Sequence, residues 1–183
     1  MKLLNKSILI AIVALLTLST YAQEEEPAPT FSVAGSIDTY FRSSEAAPGT
    51  SFANLPGFSM GMANIIMSYE GEKSGFVADL VYGPRGADAV FNSTGSANIV
   101  NQLYAYFNLS DSFTLTMGNF NTFLGYEVIS PVANFNYSTS YMFSYGPFSH
   151  SGIKADLALS DDASLMLGVL NSTDYTESQP IGE

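Results

Sequence analysis

The sequence predicts an all-β protein, an antiparallel up-and-down β-barrel that crosses a membrane. Three observations carry that prediction. Apolar residues recur with a period of two, connections alternate between short and long, and charged residues are scarce. Charged side chains make up only 13% of the 183 residues, where a soluble domain carries about 25%. Such scarcity implies an outer surface that largely avoids water.

The N-terminus stands apart. Lys2 and Lys6 precede an apolar run from Ile8 to Leu18, and Ala22 closes a short stretch before Gln23. These features describe a secretory signal peptide over 1–22, cleaved after Ala22. Its apolar core, about 11 residues, is shorter than the roughly 20 that a spanning helix needs. "QEEEPAPT" follows, and its glutamates and prolines bury no apolar surface. A flexible periplasmic segment is therefore expected over 23–30, leaving 31–183 for the barrel.

The first strand is expected in "FSVAGSIDTYFR" (31–42). Phe31, Val33, Ile37 and Phe41 share one face, and Ser32, Ser36, Asp38, Tyr40 and Arg42 share the other. Its length suits a membrane-spanning strand of about 9–11 residues. "FSMGMANIIMSY" (58–69) changes apolar parity near Met62–Ala63, which predicts a bulge. "GFVADLVYG" sets Phe76, Ala78, Leu80 and Tyr82 against Asp79. "QLYAYFNL" sets Leu103, Ala105, Phe107 and Leu109 against Gln102, Tyr104, Tyr106 and Asn108. "FTLTMGN", "GIKADLAL" and "SLMLGVL" repeat the pattern, with Lys154 and Asp156 on the polar side of the second. Seven strands result.

Short turns are expected at "EGEKS" (70–74), "SDS" (110–112) and "SDDA" (160–163). Long connections are expected at about 43–57, 84–98 and 120–146, rich in Gly, Ser, Asn and Pro. Brief periplasmic turns alternating with longer extracellular loops are the mark of a transmembrane barrel. Phe31, Phe76, Phe107 and Phe113 lie on greasy faces beside the N-terminus or short turns, and Phe41 and Tyr82 lie beside long loops. These six are the candidates for two aromatic girdles at the membrane interfaces. A closed bacterial barrel needs an even strand number of at least eight. An eighth strand in "YEVISPV" (126–132) is one answer. The favoured one is that the chain is the N-terminal part of a larger barrel whose C-terminal strands are missing.

The same residues bound the chemistry. Without Lys2 and Lys6 the chain keeps 4 basic and 17 acidic residues, a formal charge of −13. That balance argues against nucleic acid as a partner. With no cysteine and one histidine, a zinc centre has too few ligands, and no metal or other cofactor is expected. Ser149 or Ser151, His150 and Asp156 could be written as a triad, yet no nucleophile elbow or comparable context accompanies them. No catalytic residue is assigned, and an enzyme is not expected.

"FSVAGSIDTYFR", "GFVADLVYG", "NFNTFLGYEVISP", "NYSTSYMFSYGPFSHSGIKADL" and "LGVLNSTDYT" together resemble the OmpL-like β-barrel porins of Gram-negative outer membranes. "SYMFSYGPFSHSG" is the most specific of these pieces. The resemblance implies an outer-membrane channel for small solutes with no catalytic residues to transfer. Lipid of the outer membrane and small hydrophilic solutes or ions are then the expected partners.

In such a barrel the wet face lines the lumen. The lumen-facing candidates are Asp38, Arg42, Asp79, Gln102, Tyr104, Tyr106, Asn108, His150, Lys154 and Asp156, with His150 a possible pH-sensitive charge. The expected function is passive diffusion of small hydrophilic solutes or ions, with a modest cation preference from the acidic balance. Two alternatives stand beside it: a structural or adhesive outer-membrane barrel acting through its loops, and a secreted soluble β-sandwich binding protein. The aromatic stretch 136–152 has two readings as well. It packs an outer girdle and rim, with Pro147 at a strand entrance or bulge, or segment 120–146 folds inward and narrows the pore.

Overall fold

The computed structural model describes residues 28–46, 49–52 and 55–177. The expected signal peptide (1–22), most of the segment 23–30, and residues 178–183 lie outside them. Seven strands follow one another: β1 (Thr30–Arg42), β2 (Gly57–Glu70), β3 (Ser74–Tyr82), β4 (Val100–Ser110), β5 (Phe113–Asn121), β6 (Ser149–Ser160) and β7 (Ala163–Leu170). Each pairs antiparallel with the next, in the order β1-β2-β3-β4-β5-β6-β7. This is the up-and-down meander that the alternation predicts. Among the described residues β1 and β7 are its two edges and do not pair with each other.

Residues 71–73, 111–112 and 161–162 make the short connections, and 43–56, 83–99 and 122–148 the long ones. All short connections fall at one end of the sheet and all long ones at the other, because antiparallel neighbours reverse direction at each turn. Two short helices lie in the long connections, α1 (Pro84–Ala89) and α2 (Tyr141–Tyr145). Pro84 opens α1 at a position that needs no backbone N–H donor. Ser140 caps α2, its hydroxyl accepting from the Phe143 amide at 3.2 Å. Among the described residues no helix is long and apolar enough to cross a membrane, a test that does not bear on crossing strands.

The register aligns the faces. Phe31, Tyr69, Phe76, Ala105, Met117, Ile153 and Val169 form one paired row across all seven strands. Side chains on this face are the exposed ones: Ile37 is 75% exposed, Phe58 88% and Val169 77%. A water-soluble sheet does the reverse, because each large apolar side chain left in water forfeits roughly 1.5–3 kcal/mol. The anticipated bulge is present. Ile37 pairs with Ala63 but Thr39 pairs with Met60, so β2 carries one extra residue around Gly61 and Met62. It returns Phe58 and Met60 to the apolar face, where Phe58 meets Phe41 at 4.6 Å.

One expectation is corrected. "YEVISPV" forms no strand. Pro131–Ala133 is a 3-10 turn, and the Asn134 amide group folds back on Val128, donating to its carbonyl at 2.6 Å and accepting from its N–H at 2.8 Å. One side chain thereby supplies the hydrogen bonds a neighbouring strand would have given. The six girdle candidates all lie on the apolar face, but Phe113 is half-buried where the other five are exposed. Tyr69, stacked on Phe76 at 5.8 Å, and Phe58 extend the two aromatic levels.

Candidate functional site: the polar face of the sheet

The polar face divides into two parts. Toward the long connections it is covered by a hydrophobic core built from all three of them. Phe52 comes from the first, Ala89 and Val90 from the second, and Ile129, Phe143 and Phe148 from the third. They pack against Met62 and Val81 of the sheet. Phe52 and Phe148 lie 5.2 Å apart, as do Phe143 and Phe148.

Arg85 is sealed inside this core at 2% exposure. Its Nε donates to the Ile129 carbonyl at 2.8 Å and its Nη1 to the Tyr137 carbonyl at 3.1 Å. The guanidinium lies over the Phe52 ring at 4.7 Å and the Tyr137 ring at 5.6 Å. Burial pulls its pKa below the ordinary arginine value, while Tyr137 and Asp38 favour the charged form. The Tyr137 hydroxyl in turn donates to the Asp38 carboxylate at 2.5 Å. Gly61, at the bulge, makes room for this contact, since a Cβ there would collide with the Asp38 carboxylate. The third connection is thus fastened to β1 and to α1 at once.

A polar chain crosses the sheet beneath this core. Ser36 donates to Asn64 at 2.6 Å, and Asn64 donates to Asp79 Oδ1 at 3.2 Å. Asn101 donates to Asp79 Oδ2 at 2.7 Å. Asn119 donates to the Asn101 carbonyl at 2.9 Å, and Ser151 to Asn119 at 3.0 Å. The chain has one member on each strand from β1 to β6 and passes through the sheet at the Asn101 carbonyl, since Asn119 and Ser151 are in register with Leu103 on the apolar face. Asp79 at its centre is buried, with both carboxylate oxygens accepting from side-chain amides. Charge-assisted bonds of this kind offset the cost of removing a carboxylate from water.

Over β4, β5 and β6 the polar face is open. Gln102, Tyr104, Tyr106, Phe120, Phe123 and Lys154 line a cavity of about 310 Å³ together with Thr114, Thr116 and Asn121. Lys154 Nζ lies 2.5 Å from Asp156 Oδ2 and 5.6 Å from the centre of the Phe120 ring. Across this level Gly118 pairs with Gly152, and both have positive φ, 137° and 156°. A Cβ on either would strike the neighbouring strand's backbone, so only glycine allows the strands to approach here.

Residues 30–182 match the model of a family described as "putative beta-barrel porin-2, OmpL-like". The chain belongs to this family. No curated protein and no solved structure matches it. The OmpL-like assignment agrees with the meander and its exposed apolar face. A porin-like family of this kind implies the outer membrane of Gram-negative bacteria and is not one of enzymes.

Within this OmpL-like sheet the ten sequence-predicted site residues share the polar face but not one environment. Gln102, Tyr104, Tyr106 and Lys154 line the open cavity, with Asp156 paired to Lys154. Asn108 accepts from Thr114 at 2.9 Å close to a short turn. Asp38 belongs to the fastening of the third connection, and Arg42 stands half-buried at the loop end of β1. Asp79 is enclosed by Asn64 and Asn101 and does not stand in water, a correction to its expected setting.

His150 is corrected in the same way. It has the expected parity, opposite Phe120, but is only 3% exposed. Phe123 stacks on its ring at 4.5 Å, and Nε2 lies 3.1 Å from the Thr122 hydroxyl. The triad reading also fails on geometry: Ser151 bonds to Asn119, and Asp156 pairs with Lys154.

Sequence reasoning missed Arg85, Asn64, Asn101 and Tyr137. Arg85 sits in a stretch with no periodicity, and its two carbonyl partners are 44 and 52 residues away. A faint signal existed for Asn64, which is the one strongly polar residue inside the apolar run from Met60 to Met67.

Proposed function

We propose that the chain forms the wall of an outer-membrane channel through which small hydrophilic solutes or ions diffuse passively. Lipid lies against the apolar face and solute against the polar one. The observation that carries this reading is the row of apolar side chains, exposed from β1 to β7, backed by a polar face rich in hydrogen bonds. Export by a signal peptide over 1–22 belongs to the same reading. So does further strand pairing at both sheet edges, since unpaired edges are not tolerated in hydrocarbon. The acidic balance gives the pore a modest cation preference.

The third connection narrows the outer mouth on this reading, held there by Arg85 and Tyr137. Planar-bilayer conductance of the purified full-length protein tests the proposal. Discrete channels with cation preference are expected, and deleting part of 122–148 should raise the conductance. Absence of any channel, before and after that deletion, would sink the pore reading. The packed core beneath the loops favours the second reading in that event, a plugged barrel acting through its exposed rim, where Met142 and Tyr145 are 80% and 87% exposed.

A further inference from the structure

We infer that the open cavity on the polar face is a binding station for neutral, hydroxyl-rich ring compounds, the chemistry of a monosaccharide. The inference rests on the channel reading for the route by which solute arrives, and on the cavity itself for what it selects. About 310 Å³ accommodates one such ring with its first waters.

The lining presents two kinds of surface. Tyr104 and Tyr106 lie two residues apart on β4 and so share its polar face, the Tyr106 ring lying over Gly75 of β3. Phe120 meets Tyr104 edge-on at 6.4 Å. Phe123, 44% exposed and backed by His150, adds a further flat apolar wall. Rings of this kind suit the C–H face of a sugar. Unused hydrogen-bonding groups stand between them. Among the described residues, the hydroxyls of Tyr104 and Tyr106 and the amide nitrogen of Gln102 bond to no protein group, although Gln102 Oε1 accepts from Asn121 at 3.1 Å. Two hydroxyls that donate and accept, plus one amide donor, match a ligand whose own hydroxyls do both.

Charge decides the class. Lys154 is the one cation in the lining, and Asp156 neutralises it at 2.5 Å. Among the described residues no carboxylate lines the cavity, so a cationic solute finds no partner there. An anionic one must compete with Asp156 for Lys154. Neutral polar ligands meet neither penalty.

The test uses saturation-transfer NMR on the full-length protein in detergent with D-glucose, D-glucuronate and D-glucosamine as probes. Saturable glucose binding is expected, at least severalfold tighter than either charged analogue. The double variant Tyr104→Phe/Tyr106→Phe keeps both rings and should weaken glucose about tenfold, the effect of losing two ordinary hydrogen bonds. Glucose that fails to saturate, binds no better than glucuronate or glucosamine, or is unaffected by the double variant overturns the inference. Single-channel recording on the same preparation separates the two readings. Conductance without glucose binding removes the station and leaves the channel; glucose binding without conductance leaves the station and removes the channel.

Discussion

Two parts of the polar face follow the same alternation, yet the one over β2 and β3 is dry and the one over β4, β5 and β6 is wet. Toward the long connections, loop residues fill the space and Arg85 is enclosed by carbonyls and rings. Over β4, β5 and β6, among the described residues, only Phe123 of the third connection reaches the cavity, and the tyrosine hydroxyls stay unpaired. Inward-facing polarity alone therefore does not make a wet surface. Where the loop side chains pack decides it.

Arg85→Ala is the substitution expected to break this contrast most strongly. It leaves the Ile129 and Tyr137 carbonyls without their donor and empties the centre of the loop core, a change of about 2–5 kcal/mol. Limited proteolysis should then cut segment 122–148 much faster, and Arg85→Lys should rescue little because a point charge cannot reproduce the forked geometry. Unchanged proteolysis would mean that the outer half is not held from within.

Next comes the opposite face. Leu167→Arg, on the row that pairs Leu115, Ala155 and Leu167, should cost about 2–4 kcal/mol in urea unfolding from lipid vesicles. An effect below about 0.5 kcal/mol, the usual range for a surface change in water, would show that this face is not in lipid. Asp79→Ala leaves two buried amides without an acceptor and should cost about 1–3 kcal/mol in the same assay, with Asp79→Asn milder. Were Asp79 a water-exposed charge, neither change would register. The smallest effect belongs to the wet half: Tyr106→Phe should shift unfolding by less than about 0.5 kcal/mol, since its hydroxyl has no protein partner.

The strands were legible to within one to three residues, least closely for "GIKADLAL" (152–159), which became Ser149–Ser160. "FSVAGSIDTYFR" (31–42) became Thr30–Arg42, and "SLMLGVL" (164–170) became Ala163–Leu170. The bulge in β2 was legible because a parity change has one local explanation. The candidate site was legible only as a face. Gln102, Tyr104, Tyr106 and Lys154 do share one cavity, whereas Asp79 and His150 share their parity but are sealed. Their burial depends on Asn101 and Phe123, which no periodicity links to them.

The stretch from Asn136 to Gly152 shows the same division. Tyr137 fastens to Asp38, Phe143 and Phe148 enter the loop core, and Tyr141 and Tyr145 stay exposed. Phe148 and Ser149 are further fixed by Asp174, whose carboxylate accepts from their N–H groups at 2.6 and 2.9 Å.

By itself the sequence determined which side chains share a face and which end of the sheet carries loops, because a period of two and a tight turn are both local properties of the chain. Only the tertiary structure decided which polar residues are wet. That outcome depends on contacts between segments far apart in sequence, such as Arg85 with Ile129 and Tyr137 with Asp38, and no local pattern encodes them.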